Sequence, residues 1–155
     1  MGRRPDLRLG PGGRLYLTVL RDLSSRRVVG WAMGQRLTVE LALTMALANR
    51  APTAGLLHHS DRGSQSAATS YQRILAAYGL RPSMSRKGNC GDNACVKSFF
   101  GTLKRERVYH RRDATRDEAK QDIFEYIEVL YNRQRRHSTL GYHSPSKYEA
   151  RAAVA

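Results

Sequence analysis

The sequence predicts a mixed α/β domain. Three observations carry that expectation: two β-rich runs separated by a turn-prone stretch at residues 22–25, an Ala- and Leu-rich helical segment that stops before Pro52, and short strand-like runs that then alternate with helical periodicity. Strands and helices interleave along the whole chain, which argues for one layered α/β structure and against separate all-α and all-β parts. With 155 residues, 41% of them hydrophobic, the chain fits a single domain able to bury its own core.

Residues 14–33 contain both β-rich runs and read as a β-hairpin. Residues 38–50 begin at Thr38, a favourable cap, and read as a buried helix. Residues 55–59 form a short apolar strand ending at Ser60-Asp61, and residues 67–78 resume a helical pattern that Gly79 closes. A brief strand is expected at 81–85 and a loop at 88–91. A helix should then run from 92 to about 107, carrying Val96, Phe99, Phe100 and Leu103 on one side. Thr115-Arg116-Asp117-Glu118 has the capping-box pattern, and Ile123, Phe124, Ile127, Leu130 and Tyr131 follow at α-helical spacing, predicting a long amphipathic helix. Ser144 and Pro145 place a cap before a helix-favouring first residue, so 146–153 reads as a last short helix.

Lys and Arg total 27 against 13 Asp and Glu, a formal charge of +14, which draws the chain to a polyanion; nucleic acid is the natural partner. No run of about 18 apolar residues exists to span a membrane, and no apolar signal segment follows Met1-Gly2-Arg3-Arg4-Pro5, so a cytoplasmic location is expected. Cys90 and Cys95 lack paired Cys-x-x-Cys spacing and read as reduced thiols in preference to a disulfide framework or zinc ligands.

Two segments concentrate the chemistry. Asp61 stands in His58-His59-Ser60-Asp61-Arg62-Gly63-Ser64-Gln65, and Lys97 stands in Gly91-Asp92-Asn93-Ala94-Cys95-Val96-Lys97-Ser98-Phe99-Phe100, with thirty-five residues between them. Downstream lie Tyr131-Asn132-Arg133-Gln134-Arg135-Arg136-His137-Ser138-Thr139-Leu140-Gly141-Tyr142 and Ser144-Pro145-Ser146-Lys147-Tyr148-Glu149. Together, over residues 14–150, these resemble the catalytic half of bacterial insertion-sequence transposases of the DDE type. The likeness is to the second-reading-frame product of the two-frame insertion sequences, which shares the retroviral-integrase catalytic core, here with an amino-terminal truncation. The resemblance implies a ribonuclease-H-like integrase core, a mixed sheet flanked by helices with a carboxyl-terminal helical extension. Residues 1–13 would be the remnant of a truncated first strand and 14–155 the core with its terminal helices.

It also implies DNA transposition and integration by two Mg²⁺ ions held between carboxylates converging from separate elements. Asp61 matches the second acid of that family and Asp6 is the candidate for the first, making these two the metal ligands; the alternatives are a helix-capping Asp61 and an Asp6 in a basic tail. Asp22 matches a structural turn of the family. At the position of the third acid, a Glu preceding Ser-Phe-Phe, this chain has Lys97. That exchange moves the local charge by two units and aims a cation where cations must bind, so impaired catalysis is expected. Neither neighbouring acid replaces it: Asp92 is about 140° away around a helix, and Glu106 is about two and a half turns along.

Arg86, Lys87, Lys104, Arg105, Arg107, Arg133, Arg135 and Arg136 are the candidate phosphate contacts. No amino-terminal helix-turn-helix part of the kind that selects element ends is apparent, so a helix-turn-helix polypeptide of the same element and a homo-oligomer on DNA are the expected partners. The alternative reading is a non-catalytic DNA-binding remnant that modulates an active transposase.

Overall fold

A computed structural model describes residues 6–9, 13–34, 39–60, 69–84, 94–108 and 116–154. In chain order the elements are β1 (Asp6–Leu9), β2 (Gly13–Arg21), β3 (Val28–Gly34), α1 (Val39–Asn49), β4 (Leu57–Ser60), α2 (Thr69–Ala77), β5 (Arg81–Met84), α3 (Ala94–Leu103), α4 (Arg116–Glu125) and α5 (Pro145–Val154). The expected hairpin is β2–β3. β1 pairs antiparallel with its other side to give a sheet of order β1-β2-β3, while β4 and β5 pair in parallel with α2 as the crossover between them.

Helices cover both faces of the antiparallel sheet. Leu15, Leu17 and Val19 of β2 are fully buried on one face, against Phe99, Phe100 and Leu103 of α3 and Ala119, Ile123, Tyr126, Ile127 and Tyr131. Leu20 and Ala32 face the other way, against Val39, Ala42, Leu43 and Ala46 of α1 and Tyr71 and Leu75 of α2. Strict alternation cannot fill both faces of β3, and a bulge resolves this. Leu20 pairs with Gly30 but Arg21 pairs with Val28, so Val29 is the extra residue. Val28 therefore joins the first cluster with Trp31 and Met33, while Val29 joins the second. Gly30 permits the close approach of α1, since a Cβ there would lie 2.2 Å from the Ala42 carbonyl oxygen and 2.7 Å from the Ala46 Cβ.

The bulge sits on the sheet's edge, where Val28 turns its backbone polar groups outward. The buried Asn132 side chain satisfies both: its Oδ1 accepts from Val28 N–H (2.9 Å) and its Nδ2 donates to Val28 O (3.0 Å). Asn49 Nδ2 donates to the neighbouring Val29 O at 3.0 Å.

The long amphipathic helix differs from expectation in its second half. α4 passes into a wide π-type spiral over Tyr126–Gln134, with Arg135 N–H reaching back to Leu130 O. Bonding between residues five apart puts Tyr126 with Tyr131 and Ile127 with Asn132, and all four are buried. Phe124, assigned by α-helical spacing to the apolar face, is half exposed and meets Trp31 edge-on. α3 ends in a similar widened turn, Lys104–Val108. Two expected terminators hold: Gly79, at φ +67°, closes α2, and Ser144 Oγ accepts from Lys147 N–H at 3.3 Å to cap α5. Among the described residues no helix is long and apolar enough to cross a membrane.

A polar cluster ties α5 to the hairpin turn. Glu149 accepts from Ser25 Oγ (2.6 Å), Arg27 Nη1 (2.9 Å) and Arg50 Nη2. Asp22 accepts from Ser24 N–H (2.8 Å) and Ser25 N–H (3.1 Å) and pairs with Arg50, the structural turn expected of it. Burial alone would raise the Glu149 carboxyl, but hydrogen bonds from Ser25, Arg27 and Arg50 outweigh it and hold it below the ordinary glutamate value.

Two outcomes follow from this packing. Asn132→Ala leaves both Val28 groups buried and unbonded and should lower unfolding free energy by about 2–4 kcal/mol in denaturant titrations; a loss under about 0.5 kcal/mol would contradict the clamp. Because the folded pKa of Glu149 is lowered, its contribution is complete above the unfolded value and fades as pH falls through the folded one. Glu149→Gln should therefore flatten the dependence of stability on pH below about 5, and an unchanged slope would contradict the network.

Candidate active site and nucleic-acid interface

The candidate catalytic positions belong to three different elements, β1, the end of β4 and α3. β1 places Asp6 opposite Tyr16, through the register that also sets Leu7 opposite Leu15. β4 leads directly to Asp61, which lies outside the described residues. The strand is tied to α2 by His58, whose Nε2 is hydrogen-bonded to the Tyr71 hydroxyl. α3 carries Lys97 exposed to solvent, while Phe99, Phe100 and Leu103 hold the helix in the core. Asp92 and Cys90 also lie outside the described residues, and among the described residues no group of three or more His, Cys, Asp or Glu could hold a metal ion. Glu106 is committed elsewhere, to an ion pair with Arg135.

The basic candidates separate into two kinds. Arg107 pairs with the buried Asp122 carboxylate at 3.3 Å and lies 5.8 Å from the centre of the Tyr126 ring. Arg135 pairs with Glu106. Arg105, Arg133 and Arg136 are exposed and Lys104 is half buried, whereas Arg86 and Lys87 fall outside the described residues. Burial, and then the charges of Arg21, Arg135 and Arg26, push the His137 imidazole down to about 4, so it is neutral at pH 7. Its ring meets Tyr131 edge-on, and the Arg21 guanidinium lies 5.5 Å from the centre of the same ring.

Sequence reasoning did not single out Asn132, Glu149 or the Trp31–Glu128 hydrogen bond (2.9 Å) as structural determinants. Asn132 and Glu149 sit inside the carboxyl-terminal motifs quoted above, and their hydrogen bonds to Val28 and to Ser25, Arg27 and Arg50 account for their presence there without any contact to substrate.

The layered sheet, the β4–α2–β5 crossover and the α3 helix together define a ribonuclease-H-like integrase core. The integrase core domain family matches residues 6–90, and a second integrase core domain family matches 97–152. The chain belongs to the integrase core domain family, and its relatives within it are insertion-sequence transposases. It is 55% identical over 139 residues to the insertion element IS600 uncharacterized 31 kDa protein of Shigella sonnei, covering 88% of this chain and 51% of that one. It is 46% identical over 140 residues to the transposase for insertion sequence element IS904 of Lactococcus lactis and to transposase InsF for insertion sequence IS3A of Escherichia coli. Each match covers 88% of this chain, with 55% and 49% of the relatives. The chain thus spans about half the length of the curated relatives it matches. In fold it is similar to a chain of the simian T-cell lymphotropic virus intasome in complex with PP2A regulatory subunit B56 gamma. That match has a TM-score of 0.63 and 19% identity, covering 83% of this chain and 47% of that one.

The division among the cations is testable by substitution. Arg107→Ala should cost about 1 kcal/mol of stability by removing its ion pair with the buried Asp122 carboxylate, while Arg105→Ala and Arg136→Ala should stay within about 0.5 kcal/mol. Equal losses at all three positions, measured by thermal unfolding, would contradict it.

Proposed function

We propose that this chain is a DNA-binding transposase core whose strand-transfer chemistry is disabled at Lys97. The observation that carries the reading is an exposed ammonium on α3, at the position where the resemblance requires a carboxylate, on a helix whose other side is fixed in the core. Asp6 and Asp61 are the remaining acids of the set. Residues 1–13 are a remnant of the first strand and 14–155 the catalytic core with its carboxyl-terminal helices.

Two carboxylates and an ammonium do not fit a pair of Mg²⁺ ions. At an effective dielectric of about 20, a unit charge some 4 Å from another is worth roughly 4 kcal/mol, and replacing attraction by repulsion toward a divalent ion changes the interaction by roughly four times that. Glu106 gives no substitute because Arg135 engages it. DNA contact does not depend on the acids: the exposed Arg105, Arg133 and Arg136 and the half-buried Lys104 offer cations to phosphate, and with Arg86 and Lys87 of the sequence they fit the charge of +14. Those cations also favour the second reading, a non-catalytic DNA-binding protein that modulates an active transposase. A helix-turn-helix partner polypeptide that selects element ends, assembly on DNA and cytoplasmic location all belong to this proposal.

The test combines mobility shift with cleavage. Binding to duplex DNA should persist in EDTA and fall by at least about tenfold between 50 and 200 mM salt. A pre-nicked end substrate with Mg²⁺ should remain uncut by the wild-type chain and be cut by Lys97→Glu. Wild-type cleavage that Lys97→Glu leaves unchanged would overturn the reading of the defect, and binding insensitive to salt would overturn the DNA interface.

A further inference from the structure

Residues 137–143 form a closed loop around an exposed aromatic tip. His137 N–H donates to His143 O (3.1 Å), Leu140 N–H and Tyr142 N–H donate to His137 O (3.0 and 2.9 Å), and Gly141 N–H donates to Ser138 O (3.2 Å). Leu140 is buried and anchors the loop from below. At the tip two successive residues are left-handed, Gly141 at φ +63° and Tyr142 at φ +61°. Glycine adopts that region freely, but a residue with a Cβ and a bulky ring is strained there. Burial of the ring does not offset the strain, because Tyr142 is 68% exposed. Such an outlier, held by the backbone hydrogen bonds of its loop, points to a use outside the fold.

The surroundings indicate what that use is. The next residue, His143, accepts from the Arg151 guanidinium (2.5 Å). The small desolvation of its ring, followed by the charges of Arg151, Lys147 and Arg136, holds it below the ordinary histidine value, so all three cations act on the residue next to Tyr142. All three are exposed. An exposed, pre-oriented aromatic ring among cations is complementary to a nucleotide, whose base offers a π face and whose flanks are phosphates. A base inside a duplex is already stacked on both faces, so only an unpaired one has a face to give.

We propose that Tyr142 is a stacking platform for an unpaired DNA base, with Arg136, Lys147 and Arg151 on the adjoining phosphates. This rests on the DNA-binding reading above and deepens it, by making single-stranded or splayed ends the preferred substrate form at this site.

The test uses the full chain, a single-stranded oligonucleotide carrying 2-aminopurine, and a blunt duplex of the same sequence. Tyr142→Gly removes the ring and relieves the backbone, so its melting temperature should equal or exceed that of the wild type. It should bind the single strand roughly 5- to 150-fold more weakly and lose the quenching of 2-aminopurine, with duplex affinity unchanged; Tyr142→Trp should restore both. Wild-type affinity of Tyr142→Gly for the single strand, or equal losses on strand and duplex, would overturn the stacking role while leaving the DNA-binding reading intact. Failure of the wild-type chain to bind either DNA would overturn both.

Discussion

The hairpin sheet must bury both of its faces, and the rest of the fold is arranged around that constraint. A strand with strict alternation sends half its residues each way, and a slip of one residue would exchange the two sets. β2 meets the requirement with Leu15, Leu17 and Val19 on one side and Leu20 on the other. β3 meets it only through the bulge at Val28 and Val29, which leaves backbone groups exposed on an edge. The Asn132 amide then acts as a one-residue strand, covering that edge from the spiral after α4. Sheet, bulge and terminal helices are therefore mutually dependent, which is why a carboxyl-terminal motif far from the acidic residues is integral to the core.

The candidate catalytic positions inherit this arrangement without contributing to it. Asp6 is placed by the β1–β2 register, and Lys97 by Phe99, Phe100 and Leu103 beneath it. A helix anchored in this way tolerates a change of charge on its exposed side, because the residues that fix it are apolar and point elsewhere. The proposed loss of a carboxylate at Lys97 is compatible with an intact fold, so fold and chemistry can part company on this reading. The basic surface behaves differently: Arg107 and Arg135 are drawn into ion pairs with Asp122 and Glu106, and the exposed cations are left for a polyanion.

Much of the architecture was legible in the sequence because it follows from local periodicity. The hairpin, α1, the β4–α2–β5 unit with its Gly79 terminator and the Ser144 cap all appear where spacing and capping residues place them. The Asp22 turn was legible as well, since a short carboxylate followed by two serines bonds to its own backbone. What escaped depends on partners distant in sequence. Asn132 meets Val28 across 104 positions, and Glu149 meets Ser25 across 124. No window reveals such pairs. The π-type spiral was missed because Ile123, Ile127 and Tyr131 also satisfy a 3.6-residue period, and only the burial of Asn132 beside Tyr131 distinguishes the two. Asp61 was legible as a motif, yet it lies outside the described residues, so its setting rests on β4 alone.

The claim at the centre of this account is electrostatic: the position on α3 that should attract divalent cations repels them. Titration of Mn²⁺ into the purified chain, followed by water-proton relaxation, measures that occupancy without requiring turnover. The account predicts no saturable site in the wild-type chain at millimolar Mn²⁺ and a saturable site in Lys97→Glu that Asp61→Asn abolishes. Saturable binding of two ions by the wild-type chain, unaltered in Lys97→Glu, would contradict it.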